Sequence, residues 1–123
     1  MSTQALPYIV AFDFDGTLCE NAFPKIGAPK KEVIQAAKEY KSYGGKIVLW
    51  TCRNHDALTQ AIEWCKKQGL EFDAINENIP EVQEMFGGNT RKVFANAYID
   101  DRNVLLREVD RSGSRVINTK LYH

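Results

Sequence analysis

The sequence predicts an α/β fold built on a mainly parallel sheet with helices on both faces. Two observations carry this. Four short β-rich runs, at 8–12, 46–50, 71–75 and 96–100, are separated by segments of helical periodicity or by loops, and strands alternating with helices mark βαβ units. The first two runs, "YIVAF" and "KIVLW", show little polar alternation, as expected of strands covered on both sides. Right-handed crossovers then place the helices on both faces. With 123 residues the chain suffices for one core, so 1–123 reads as a single domain.

Taken in order, "YIVAF" is the first strand. Residues 18–29 contain Asn21, Pro24, Gly27 and Pro29 and read as a loop. From about Pro29 to Tyr43 the pattern turns helical, with Val33, Ala36, Ala37 and Tyr40 on one face, and Gly44-Gly45 stops it. "KIVLW" is the second strand. A second helix starts at Asn54 or His55, lines its inner face with Leu58, Ile62 and Cys65, and ends at Gly69. "EFDAI" at 71–75 is the third strand. Residues 76–91 hold Pro80, Gly87 and Gly88 and read as a loop with one helical turn. "NAYID" at 96–100 is the fourth strand, and "RVIN" at 115–118 is a candidate fifth. Trp50 and Trp64 read as core residues.

Charge narrows the function. Sixteen basic and sixteen acidic side chains cancel, which gives no support for a nucleic acid or membrane surface recognised by bulk charge. No apolar stretch approaches the roughly 20 residues of a membrane span, and "MSTQALP" lacks the pattern of a secretory signal. Cys19, Cys52 and Cys65 form neither a CxxC pair nor a zinc spacing, so free thiols and a cytoplasmic setting are expected.

The chemistry lies at the strand ends, where ligands bind in open α/β sheets. Asp13, Asp15, Gly16 and Thr17 follow the first strand. Thr51, Cys52 and Arg53 follow the second, Asn76, Glu77 and Asn78 the third, and Asp100, Asp101 and Arg102 the fourth. If the first and fourth strands are neighbours, four carboxylates meet, and such a cluster calls for a cation. All-oxygen donors suit Mg²⁺, which takes one or two carboxylates and keeps room for substrate phosphate. One carboxylate can then act as a nucleophile and another as an acid.

These residues resemble a known family. "DFDGT" after an apolar strand resembles the first motif of the haloacid dehalogenase (HAD) superfamily, "IVLWTCR" looks like its second, Lys92 fits its third, and "YIDDR" looks like its fourth. The resemblance spans residues 8–102, about three quarters of the chain. It implies a three-layer Rossmann-like core and a Mg²⁺-dependent phosphohydrolase, acting on a phosphorylated small molecule or macromolecule. Asp13 would be the nucleophile and Asp15 the general acid and base, with its pKa raised by neighbouring acids and partial burial. The Asp13 carboxylate and the Asp15 backbone carbonyl would bind the metal. Asp101 would be a direct ligand, with Asp100 behind it or bridged by water. Thr51 and Lys92 would hold the phosphoryl group, and backbone N–H groups near Phe14, Gly16 and Cys52 would contact its oxygens. Arg91, Lys66 and Lys67 compete with Lys92. Arg53 is either a substrate contact or a surface salt bridge, Arg102 a structural partner of the acids, and Cys52 a packing or backbone contributor. Asn54 and Glu77 are candidate substrate contacts.

Neither residues 18–50 nor 54–91 leave room for the cap domain that many members insert. A short hairpin near 18–28 is then the local cover, and a second copy of the chain is a possible roof. A non-catalytic phosphate- or metal-binding module, a receiver-like phosphoacceptor, and a phosphotransferase of the same superfamily are the alternatives.

Overall fold

The computed structural model describes residues 6–103. The candidate strand at 115–118 and the segment around it lie outside the described residues. In chain order the elements are β1 (Ile9–Phe12), β2 (Cys19–Ala22), β3 (Lys25–Pro29), α1 (Lys31–Ser42), β4 (Lys46–Leu49), α2 (His55–Lys67), β5 (Ala74–Ile75), α3 (Pro80–Phe86) and β6 (Ala97–Ile99).

The main sheet is parallel, in the order β5-β4-β1-β6. β1 sits inside it, and all four of its residues are buried. Its register pairs Phe12 with Leu49 on one side and with Ile99 on the other. The chain segments that follow β1, β4 and β6 therefore leave the sheet side by side. The strand order reverses at β1, the place where an open α/β sheet forms its crevice.

Each face of the sheet carries its own core. Val10, Phe12, Ile47 and Leu49 pack with Ile34 and Ala37 of α1 and with Ala61 and Cys65 of α2. Ile9, Ala11 and Val48 pack on the other face with Ile79, Val82 and Val93. That alternation explains the unbroken apolar runs, because both parities of each strand are covered. Trp64 packs on the first core and Trp50 on the second, as expected. No cap domain stands over the sheet within the described residues, and none of their helices is long and apolar enough to cross a membrane.

Some local expectations change. The inner face of α1 centres on Ile34 and Ala37, while Ala36 is exposed. Ile34 was hidden in the sequence because the periodic match through Val33 is only one residue away. The third strand shrinks to two paired residues. Asp73 just before it uses its carboxylate to take the Ile47 N–H at 2.9 Å. The segment 76–91 contains a helix of seven residues rather than one turn. Pro80 starts that helix, where its missing N–H costs nothing, and Gly87 ends it in the left-handed region at φ 72°. The loop at 18–29 is the β2–β3 hairpin, in the place expected for a local cover.

Candidate active site

Two aspartates can follow a buried strand here because the residue between them turns inward. Phe14 is fully buried and meets Trp64 edge-on at 5.4 Å. Asp13 and Asp15 on either side are held out of the core, and they have different surroundings.

Asp13 joins Asp100 and Asp101. One carboxylate oxygen from each lies within 4.8 Å of the others. Backbone pairing builds this cluster: Asp13 N–H donates to the Ile99 carbonyl at 2.9 Å. Asp101 N–H donates to the hydroxyl of Thr17 at 3.1 Å, and Asp100 accepts the Arg102 N–H at 2.9 Å. Gly16, at φ +88°, completes the cradle, since a side chain there would collide with the Asp101 carboxylate. Burial pushes the Asp13 carboxyl up to about 6; the Phe14 N–H opposes this, and the charges of Asp100, Asp101 and Asp15 add to it. Asp101 is also raised, first by burial and then by its contact with Asp100. Among the described residues no side chain forms an ion pair with this cluster. Its all-oxygen donor set is the kind that suits a hard divalent ion.

Asp15 faces elsewhere. Both of its oxygens are taken by Arg53, Nε to Oδ2 and Nη2 to Oδ1, each at 2.8 Å. Arg53 is 3% exposed. Its remaining donors reach the Lys25 carbonyl at 3.0 Å and the Ala57 carbonyl at 3.3 Å. The rings of Phe14 and Phe23 each lie 5.0 Å from the guanidinium carbon. This corrects two expectations. The Asp15 side chain stands outside the acid cluster, and its partner is a cation rather than further acids. Arg53 is neither a free substrate contact nor a surface salt bridge, but the buried centre of a clasp.

Three comparisons bear on this arrangement. No family model matches the chain, and no curated protein matches it. A solved structure of a conserved protein from Bacteroides thetaiotaomicron does, at 38% identity and TM-score 0.70, covering 80% of this chain and 79% of that one. The chain belongs to that protein's family. The likeness extends to the fold; the chemistry of the site rests on its side chains.

Within this family member, Thr51 directly follows the strand pairing, since Trp50 N–H donates to the Phe12 carbonyl at 2.8 Å. Its own N–H donates to the Asn76 side chain at 2.8 Å, and its hydroxyl accepts the Arg53 N–H at 3.1 Å. That leaves the hydroxyl proton to give. Cys52 and Asn54 are exposed beside it, so Cys52 does no core packing. Glu77 is exposed. Arg102 contributes its backbone N–H to the cluster, and its side chain makes no ion pair among the described residues.

Lys92 is exposed, with its ammonium 5.8 Å from the centre of the Tyr98 ring, and it pairs with no carboxylate among the described residues. Lys30, which the sequence did not single out, puts its ammonium on the Gly16 carbonyl at 2.9 Å. No motif signals Lys30; only the hairpin's return brings it there. Thr17 and Asn78 were also undervalued. Asn78 is fully buried. It donates to Asn89 and Thr90, accepts the Phe94 N–H at 2.7 Å, and so rivets the loop that carries Lys92. Asn78→Ala is expected to cost about 2–3 kcal/mol, because it orphans buried groups. Thermal unfolding checks this, and a fall in Tm of under 2 °C would contradict it.

Buried thiols play no part. Cys65 is pushed up to about 12 by burial, and Cys19 is raised by burial as well.

Proposed function

We propose that the chain is a phosphohydrolase of the HAD type, cytoplasmic and open to a bulky or small phosphorylated substrate. The observation that carries this reading is the separation of the two aspartates around Phe14. Asp13 lies among like charges that call for a cation, and Asp15 is held apart on a cationic fork. Two neighbouring carboxylates with different surroundings are suited to different jobs. The match of "DFDGT", "IVLWTCR" and "YIDDR" to the superfamily's motifs supports the same assignment.

Asp13, Asp100 and Asp101, with the Asp15 backbone carbonyl, would hold Mg²⁺. The ion would supply positive charge against which a phosphate dianion can approach three carboxylates. The chain's own residues do the rest. An Asp13 oxygen attacks phosphorus as the bond to the leaving oxygen breaks; Asp15, which must first free one oxygen from Arg53 and take up a proton there, gives that proton to the leaving oxygen, releasing the alcohol. Water then attacks phosphorus, Asp15 takes the water proton, and the bond to Asp13 breaks to release inorganic phosphate. Thr51 donates its hydroxyl proton to a phosphoryl oxygen. Among the described residues, Lys92 and Lys30 are candidate cations to balance charge, Lys30 being the one held on the Gly16 carbonyl.

Hydrolysis of p-nitrophenyl phosphate, with and without Mg²⁺, by the wild type and by Asp13→Asn, tests the reading. Metal-dependent turnover that the substitution abolishes is expected. Turnover that survives Asp13→Asn would overturn the role of Asp13. Tight binding of a phosphate analogue without any turnover would favour a binding module.

A further inference from the structure

Beyond the residues that touch substrate, we infer that Arg53 is the positioning residue for Asp15, and that the β2–β3 hairpin sets how firmly it holds. The inference rests on the phosphohydrolase reading. A proton donor works only within hydrogen-bond reach of the leaving oxygen, and misplacement by about 1 Å can cost on the order of 100-fold. Asp15 sits just after a strand end in a backbone bridge with Cys19, and that bridge leaves its side-chain rotamer to be set by side-chain partners. Arg53 does. Its planar fork takes both Asp15 oxygens at 2.8 Å, a geometry that a lysine cannot supply.

The fork is itself fixed without help from Asp15. The Ala57 carbonyl in α2 accepts from Nη1, and the Lys25 carbonyl in the hairpin accepts from Nη2. Phe14 from the core and Phe23 from the hairpin tip flank the guanidinium. On this reading Asp15 meets a leaving group with one oxygen, freed from the fork and protonated, while the other stays docked on Arg53. The loop of 51–53 also sets Thr51, whose hydroxyl accepts the Arg53 N–H. The Arg53 side chain thus holds the proton carrier, while its backbone N–H donates to the Thr51 hydroxyl. Phe23 is 59% exposed, so the hairpin side of the clasp is open to whatever approaches the site.

The test compares two phosphate monoesters with Mg²⁺ present. Dinitrophenyl phosphate has a leaving group that needs no proton; glycerol phosphate has one that does. The readout is kcat/KM, which covers the step up to loss of the leaving group. Asp15→Asn gives the reference pattern. Arg53→Lys is expected to lose at least ~10-fold more kcat/KM on glycerol phosphate than on dinitrophenyl phosphate, within the range that general acid catalysis contributes. Phe23→Ala removes an exposed ring, and it is expected to show a smaller loss with the same selectivity. It also covers the case in which Arg53→Lys does not fold. Equal losses on the two esters would overturn the positioning role and leave only a structural one. If the wild type turns over neither ester, the phosphohydrolase reading falls and this inference falls with it. Wild-type turnover with unselective variants overturns this inference alone.

Discussion

Asp13→Asn is expected to stabilise the metal-free protein at pH 7.5 while abolishing its turnover. The folded-state carboxyl is pushed up to about 6 from an ordinary value of 3.8, first by burial and then by Asp100, Asp101 and Asp15 against the opposing Phe14 N–H. The sign follows from linkage. Below 3.8 the group is protonated in both states and carries no penalty. As pH rises through 6, the folded state must hold a charge that the unfolded state holds freely, so stability is lost between those values. A shift of this size in a fully buried group would be worth about 3 kcal/mol. The Asp13 carboxyl is only half-buried, so screening reduces this to about 1 kcal/mol. That corresponds to roughly 4 °C in Tm for a domain of this size. Asp101 and the other acids titrate in both proteins, so the quantity to measure is the difference in Tm between variant and wild type. It is expected near zero at pH 4 and positive at pH 7.5. A variant less stable than the wild type at pH 7.5 would contradict the crowded-charge account. Added Mg²⁺ is expected to raise the wild-type Tm more than that of the variant, since it neutralises the same charge.

Gly16→Ala is expected to lower both stability and turnover, and Gly44→Ala separates the causes. Both glycines have a left-handed backbone, at φ +88° and φ +91°. An L-residue there costs roughly 1–2 kcal/mol. Around Gly44 there is nothing within 4 Å of a new side chain, whereas at Gly16 a methyl group collides with the Asp101 carboxylate. Gly44→Ala should therefore show the backbone cost alone, with activity unchanged. Gly16→Ala should lose at least a further ~1 kcal/mol from the forced shift, and turnover should fall by about 100-fold as Asp101 leaves Asp13. Equal Tm losses with equal activities would show that the Asp101 approach does not matter.

Much of this molecule was legible in its chain. Unbroken apolar runs at 9–12 and 47–50 declared strands covered on both sides, and the parallel sheet follows from them. Acids at the ends of the first and fourth strands were readable as a cluster, since strand ends gather on one edge of a parallel sheet. What could not be read was which way each acid faces. "DFDGT" presents Asp13 and Asp15 as a pair, and only the inward turn of Phe14 splits them between an acidic cluster and a guanidinium. Arg53, 38 residues after Asp15, looked like a loop residue because nothing local reveals that two rings and two carbonyls bury it. Lys30 reaches Gly16 only because the hairpin folds back, and Lys92 stands over Tyr98 only because Asn78 rivets its loop. By itself, then, the sequence determined the parallel strands, the two long helices and the inventory of chemical groups, because periodicity and strand-end position are properties of nearby residues, whereas no periodicity announced the β2–β3 hairpin or the full length of α3. The tertiary structure alone decided which charge each group meets, because burial and pairing depend on contacts between residues far apart in the chain.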